Sequence, residues 1–220
     1  MEYSKTKKLV IMAMMAALAY VAMILIKIPM LVDYLKYDPK DVIIAVTGFL
    51  FGPLEALITA AVVCGLEALT VGTTGWIGAL MNLLASCSFA VVASLIYRKK
   101  HTLGGAVIAL VAGVLCLTAV MIAWNYFLTP LYTGMPREAV VPMLPTVFLP
   151  FNLIKGGINA ALTMMLYKPV VVTLRKSGLA PCPEGSGKAA GKISVIVVSL
   201  IVLAALIAAA VLLTNYSAQR

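Results

Sequence analysis

The stretch PFNLIKGGINAALT, residues 150–163, places polar side chains at helical spacing inside a segment that is otherwise apolar. Asn152, Lys155 and Asn159 are spaced i, i+3 and i+7, which puts them on one face of a helix, and Thr163 extends that face. An ammonium group in hydrocarbon costs about 3 kcal/mol or more unless it finds a partner, so a charge within a membrane span indicates a functional site. The stripe therefore predicts a helix whose polar face looks into a protein interior or a cavity and holds something polar there.

The composition of the whole chain predicts an integral membrane protein. Of its 220 residues, 63% are hydrophobic and 11% are charged, whereas about a quarter of an average soluble domain is charged. The net charge of +9 comes from lysines and arginines that cluster between apolar runs, which favours a membrane topology over nucleic-acid binding. The four cysteines show no metal-ligand spacing, so we expect neither a metal site nor a disulfide framework.

Apolar runs long enough to cross a ~30 Å hydrocarbon core predict an all-α membrane protein: a six-helix transmembrane bundle plus an additional C-terminal hydrophobic helix. Gly52-Pro53 divides the second run, because proline interrupts the hydrogen-bond ladder of a helix. The predicted helices are Leu9–Ile28, Val42–Phe51, Leu54–Val71, Trp76–Tyr97, Leu103–Leu128, Thr146–Thr173 and Ile193–Leu213. The chain then divides into a substrate-binding membrane domain at 1–176, a flexible linker at 177–192, and the extra helix with its tail at 193–220.

Basic residues in the short loops predict the orientation in the membrane. Lysines and arginines concentrate at 5–8, 98–100 and 168–192, whereas the first and fifth loops carry mixed charge. The basic side is expected to be cytoplasmic, so we predict a multi-pass protein of the plasma membrane with a cytoplasmic N-terminus. The apolar run behind the N-terminal lysines is longer than the core of a signal peptide, which favours a retained first helix.

The first external loop, PMLVDYLKYDPKD at 29–41, is a candidate lid. Tyr34 and Tyr37 either lie in the aromatic belt at the membrane surface or stack on a planar ligand, with Asp38 accepting hydrogen bonds from ligand hydroxyls. Asp38-Pro39 also suits the start of a helix, with Asp38 as the N-cap and Pro39 at the first position. Both interpretations stay open at this point.

Two other places present polar groups within apolar runs. Trp124-Asn125-Tyr126 lies at the outer end of the fifth span. There Asn125 binds the edge of a heterocycle or hydrogen-bonds a neighbouring helix. Lys155 contacts a ligand or forms an ion pair with Glu67, and the two roles are compatible because the acid could orient the lysine.

The first span carries a pattern typical of helix–helix contacts. Ala13 and Ala17 form a small-xxx-small pair, which fits a helix that packs against another membrane protein. No nucleophile–base pair and no cluster of His, Cys and carboxylates has the spacing of a catalytic or metal site, so we predict neither an enzyme nor a metalloprotein.

Three motifs resemble the riboflavin-specific S component, the substrate-binding membrane subunit of energy-coupling-factor (ECF) transporters of bacteria. They are YLKYDPKD at 34–41, FGPLEA at 51–56 and PFNLIKG at 150–156. The resemblance covers about Lys5 to Lys176 and implies a six-helix subunit with an external pocket closed by the first loop. Its ligand would be riboflavin. FMN is the alternative flavin, because Lys155 would also attract a phosphate.

The resemblance also implies roles for individual residues. Asn125, Asn152 and Lys155 would be the polar anchors, with Leu35 and Asp38 on the loop side. The full set expected to bind substrate is Tyr34, Leu35, Tyr37, Asp38, Trp124, Asn125, Tyr126, Phe151, Asn152, Lys155 and Asn159. Ala13 and Ala17 resemble the surface that docks a transmembrane T component, and two cytoplasmic ATPase subunits would drive the complex. No resident cofactor is implied.

Two other functions remain as alternatives. One is an S component for another vitamin, such as thiamine or biotin. The other is a stand-alone membrane carrier, but such proteins often contain inverted repeats with broken helices, and the Gly-Pro break near residue 52 has no counterpart in the second half. The C-terminal segment Ile193–Leu213 departs from the six-helix pattern.

Overall fold

In a computed structural model of the chain, the described residues are 5–30, 32–72, 75–177 and 192–218. Within them the structure contains nine α-helices, two short strands and two π-helical turns. In chain order these are α1 Lys5–Leu25, β1 Ile28–Met30, β2 Val32–Tyr37, α2 Lys40–Phe51, α3 Pro53–Thr70, α4 Gly75–Ser86, a π-turn at Cys87–Val91, α5 Val92–Tyr97, α6 Leu103–Thr133, α7 Arg137–Val140, a π-turn at Leu144–Phe148, α8 Leu149–Lys176 and α9 Lys192–Ala218.

The observed helices differ from the predicted ones mainly at their ends. The predicted break is confirmed: Gly52 has a φ of 121°, and α3 begins at Pro53 directly after it. A positive φ of this size favours glycine, which has no Cβ to clash with the backbone. The predicted linker at 177–192 falls almost entirely outside the described residues.

Among the described residues, five segments are long and apolar enough to cross a membrane, so the chain is a multi-pass membrane protein. They are Lys5–Leu25, Pro53–Thr70, Gly75–Tyr97, Leu103–Leu131 and Arg137–Val171. Helix α2 has 12 residues and rises only about 18 Å, which is less than a hydrocarbon core. In α9 the apolar part is Ser199–Leu213. The sixth span and the additional C-terminal span therefore stay predictions.

Helix α2 lies at the centre of the bundle. It packs against α1, α3, α5 and α8, and nearly every residue from Lys40 to Leu50 is buried. Because its first turn carries Lys40 and Asp41, the central position of this short helix brings two charges into the protein interior.

The first loop contains a β-hairpin that the sequence analysis did not predict. Strands β1 and β2 are antiparallel, with Ile28 opposite Tyr37, Pro29 opposite Lys36, and an irregularity between Pro29 and Met30. An isolated two-stranded hairpin is marginally stable at best. This one is supported by packing, because Met30 and Tyr37 are buried in an apolar cluster whose other members include three residues of α8: Phe151, Ile154 and Ile158.

The start of α2 corrects one prediction. The helix begins at Lys40 with Pro39 at its N-cap, so Asp38 is not the N-cap. Its carboxylate faces Lys40 and Lys155 instead.

A close contact between α2 and α5 predicts a large effect of a single methyl group. A Cβ on Gly48 would lie 1.9 Å from Ser94 Oγ and 2.9 Å from the Ala56 Cβ. We expect Gly48→Ala to lower the free energy of unfolding by about 1–3 kcal/mol, the usual cost of overpacking. Gly65→Ala is the matched control, because a Cβ there meets nothing within 4 Å. Thermal unfolding in detergent compares the two, and equal melting temperatures would contradict the predicted clash.

Candidate functional site

A buried polar cluster connects the first-loop hairpin with α8. Every member is at most 9% exposed, although the members come from four separate stretches of the chain. We define the polar cluster by Tyr37, Asp38, Lys40, Asp41, Glu67, Ser86, Lys155 and Asn159.

Lys155 forms an ion pair with the carboxylate of the first loop. Its Nζ lies 3.4 Å from Asp38 Oδ2, which is long for a hydrogen bond but close enough for strong attraction in a dry interior. The last core helix and the end of the hairpin are therefore joined by opposite charges at the point where both are buried.

Lys40 carries the second ion pair of the polar cluster. Its Nζ lies 2.5 Å from Glu67 Oε2 and 3.8 Å from Asp38 Oδ1. The hypothesis that Lys155 pairs with Glu67 is therefore wrong, because Glu67 is paired with the lysine of α2. Asp38 lies between the two lysines and is shared by them.

Asp41 is fully buried and is held by neutral donors. Ser86 Oγ donates to Asp41 Oδ1 at 2.5 Å, and Asn159 Nδ2 donates to Asp41 Oδ2 at 3.4 Å. The carboxylate also lies in the first turn of α2, where the positive end of the helix dipole favours negative charge. These contacts stabilise the Asp41 side chain in the protein interior, where Asp38 and Glu67 already pair with the two lysines.

The hairpin contributes two groups whose protonation follows from their surroundings. Burial, reinforced by the charges of Asp38 and Asp41, raises the pKa of Tyr37 above its ordinary value. Tyr37 therefore stays a neutral donor, and its hydroxyl donates to Asn159 Oδ1 at 3.0 Å. Burial alone would raise the pKa of Asp38, but the charges of Lys155 and Lys40 outweigh burial and hold that pKa below its ordinary value. Asp38 is therefore ionised.

The predicted stripe on α8 is buried along its whole length. Asn152, Lys155, Asn159 and Thr163 are all at most 7% exposed. Lys155 and Asn159 belong to the polar cluster, whereas Thr163 Oγ1 donates to the Asn159 carbonyl within the helix at 2.6 Å. The expectation that this face looks into the protein is confirmed.

Each of the two amides expected to anchor a ligand donates to a carbonyl one turn earlier in its own helical segment. Asn125 Nδ2 donates to the Met121 carbonyl at 2.7 Å, and Thr129 Oγ1 donates to Asn125 Oδ1 at 2.9 Å. Asn152 Nδ2 donates to the Phe148 carbonyl at 2.7 Å. Among the described residues, neither amide hydrogen-bonds to the polar cluster, so the predicted set is only partly brought together.

The aromatic and apolar members of the predicted set divide between two regions. Phe151 and Leu35 belong to the apolar cluster under the hairpin, together with Tyr37. Trp124 lies in the main core of the bundle. Tyr126 lies toward the C-terminal end of α6, with the Arg137 guanidinium 5.2 Å from its ring centroid. Tyr34 lies on β2, and its side chain is outside the described part of the structure.

Trp124 presents an unpaired donor. Its side chain is 8% exposed, and its indole Nε1 is buried without a hydrogen-bond partner among the described residues. Buried N–H groups are nearly always paired in proteins. This donor, next to Asn125 in the chain, is therefore a candidate contact for a polar atom of a ligand.

The small-residue pair of α1 faces outward. Ala13 and Ala17 are exposed, whereas Ala16 and Ala19 on the other side of the helix are buried. The exposed pair is therefore free of contacts that would prevent another helix from packing there.

Sequence reasoning missed three members of the polar cluster. Lys40 and Asp41 were counted as loop charges, and Ser86 was not considered. The available signal was the adjacency of Lys40 and Asp41 to a helix start, followed by a long apolar run. Charges at that position must lie at the membrane surface or in the protein interior, and only packing decides between the two.

The arrangement suits recognition of a neutral, polar, planar molecule. Ammonium and amide groups can donate to carbonyl oxygens, carboxylates can accept from hydroxyls, and aromatic and aliphatic side chains can cover flat faces.

Known proteins are similar to this chain over most of its length. Residues 7–167 match the family described as "ECF transporter, substrate-specific component". The chain is 28% identical over 173 residues to the riboflavin transporter FmnP of Bacillus subtilis (strain 168), covering 74% of this chain and 91% of that protein. It is 30% identical over 180 residues to the riboflavin transporter RibU of Staphylococcus aureus (strain TCH60), covering 78% and 94%.

A solved structure is also similar to this chain. It is the S component of a bacterial ECF transporter, with a TM-score of 0.68 and 29% sequence identity. The similarity covers 78% of this chain and 99% of that structure.

Proposed function

Since this chain belongs to the substrate-specific components of ECF transporters, and is a transporter subunit and not an enzyme, we propose that it is the riboflavin-binding subunit of a vitamin uptake system. It would capture riboflavin on the outer side of the membrane. Two relatives that it matches over most of their length are named riboflavin transporters.

One structural observation supports ligand binding at this site independently of family membership. The hairpin of the first loop and the polar stripe of α8 meet in the buried polar cluster, through Asp38 with Lys155 and Tyr37 with Asn159. A ligand that reaches this region would lie between a two-stranded hairpin, whose own pairing is only marginally stable, and a long helix. That combination suits capture of a small molecule followed by closure of a lid.

The functional groups of riboflavin match the side chains proposed to bind it. Its ring system carries carbonyl oxygens on one edge, which suit the Lys155 ammonium and the Asn125 and Asn152 amides as donors. Its ribityl hydroxyls suit Asp38 as an acceptor. Phe151 and Trp124 are large rings that can cover the flat faces of the flavin.

The visible absorption spectrum of the detergent-purified protein tests the proposal, together with mass spectrometry of whatever heat releases. We expect a yellow preparation that yields riboflavin. Release of FMN instead would change the assigned flavin. A colourless preparation that also fails to quench the fluorescence of added riboflavin would overturn the flavin assignment in favour of another vitamin, such as thiamine or biotin.

We further propose that the subunit works with a transmembrane T component and two cytoplasmic ATPases, in the plasma membrane with its N-terminus inside the cell. The family supports the partnership, and the exposed pair Ala13 and Ala17 on α1 supplies a surface where a partner helix can approach closely. The basic residues at 5–8, 98–100 and 168–192 support the orientation. Co-purification of the tagged chain with these subunits tests the partnership, and an Ala13→Leu, Ala17→Leu double variant is expected to weaken it.

Trp124→Phe tests the unpaired indole donor. The substitution keeps a large ring in the core but removes the N–H group, so we expect flavin affinity to fall about tenfold, the equivalent of one hydrogen bond of about 1.4 kcal/mol. Fluorescence titration with riboflavin measures the change, and thermal unfolding checks that the fold persists. An unchanged dissociation constant would show that the indole N–H does not contact the flavin.

A further inference from the structure

Helix α9 lies beyond residues 7–167, the part of the chain that matches the family, and it has a specific docking place. It packs along α8 and also contacts β1 of the hairpin. A helix tethered only to span the membrane would need neither contact. These two contacts place α9 next to the candidate functional site.

The contact with α8 is close at Gly157, where α8 carries no side chain. A Cβ on Gly157 would lie 2.8 Å from Leu206 Cδ1, closer than Cβ atoms approach other atoms. Glycine at this position therefore lets α9 approach α8 closely. Lipid tails are as apolar as leucine, so helices in a membrane associate through close packing of this kind and not through the hydrophobic effect.

The contact with the hairpin runs through an apolar cluster. Ala210 of α9 is 7% exposed and is buried in the same cluster as Met30, Tyr37 and Phe151. Leu203, Leu206 and Leu213 pack against this cluster from the same face of α9. Other positions of α9 face away from the protein, including Ile207 at 48% and Leu212 at 69% exposure.

Tyr37 connects this apolar cluster with the polar one. Its ring packs in the cluster that includes Ala210, and its hydroxyl donates to Asn159, which in turn donates to Asp41. A displacement of α9 would remove packing from the apolar cluster that contains Met30 of β1 and Tyr37 of β2.

We propose that α9 is a positioning element that holds the first-loop hairpin against α8 and thereby slows release of the ligand. The ligand part of this inference rests on the proposed function. The holding of the hairpin does not, because it follows from contacts between described residues alone.

The test compares two tryptophan substitutions in the full-length protein. Ala210→Trp places a large side chain in the buried face of α9, whereas Leu212→Trp places the same side chain on its exposed face. We expect Ala210→Trp to speed flavin release about tenfold in a chase experiment, the equivalent of about 1.4 kcal/mol, while Leu212→Trp leaves the release rate unchanged. Leu206→Ala, with Ile207→Ala as its control, is the milder pair if Ala210→Trp fails to fold.

Amide hydrogen exchange at residues 28–37 of the ligand-free protein provides a readout independent of flavin. Faster exchange in Ala210→Trp or Leu206→Ala, with control variants like the parent, supports the holding of the hairpin. Unchanged exchange in both test variants overturns the proposal. Faster exchange with an unchanged rate of flavin release overturns its link to the ligand. If the parent binds no flavin, the proposed function fails and hydrogen exchange alone decides the role of α9.

Discussion

Replacing Lys155 by methionine is expected to weaken flavin binding about 10- to 100-fold, because a hydrogen bond from a charged donor contributes about 1.5–3 kcal/mol. The protein should remain folded. Asp38 loses one partner but keeps Lys40, whose Nζ is 3.8 Å from Asp38 Oδ1. Fluorescence titration with riboflavin measures the loss of affinity, and thermal unfolding in detergent measures stability.

A double variant distinguishes the role of Lys155 in flavin binding from its role in the ion pair with Asp38. Asp38→Asn combined with Lys155→Met removes both charges of the pair, so any instability caused by an unpaired carboxylate should disappear. We expect this double variant to be as stable as the parent and still to bind flavin weakly. Tight binding by the double variant would mean that Lys155 serves only to neutralise Asp38, and the anchor role would be wrong.

Replacing Lys40 by methionine is expected to have the largest effect on stability. Lys40 is 1% exposed and is the partner of Glu67 at 2.5 Å. Removing one member of a buried ion pair costs about 3–5 kcal/mol, because the other charge is left without compensation. We expect the melting temperature of the detergent-solubilised protein to fall by about 10 °C.

Two further variants test whether the effect of Lys40→Met comes from its ion pair with Glu67. Lys36→Met removes a lysine from the exposed side of the neighbouring hairpin and should leave the melting temperature unchanged. Glu67→Gln added to Lys40→Met removes the carboxylate that has lost its partner, so it should restore part of the stability. A Lys40→Met variant as stable as Lys36→Met would show that the pair with Glu67 does not form in the membrane.

The class of the protein and most of its helices were predictable because both depend on local properties. A run of apolar residues must be helical in a membrane, since every backbone polar group has to be satisfied within the segment. The break at Gly52-Pro53 was equally predictable, because proline and a positive φ act on the chain locally. The buried stripe of α8 followed from the helical period together with the cost of placing an ammonium group in lipid.

The partners of the buried charges were not predictable in the same way. Glu67 could pair with Lys155 or with Lys40, and the sequence offers no reason to choose. The choice depends on where α2 stands relative to α3 and α8. The hairpin was missed for a related reason, since its strands are short and gain their stability from packing of Met30 and Tyr37 against α8.

By itself, the sequence determined that this chain lies in the membrane, that a helix breaks at Gly52-Pro53, and that α8 has one polar face. These properties follow from hydropathy, helical period and backbone chemistry, which act over a few residues. Only the tertiary structure decided that Asp38 lies between two lysines, that Asp41 is held by Ser86 and Asn159, and that α9 reaches the hairpin. Those contacts join residues that are distant in the chain, so they exist only once the helices have packed.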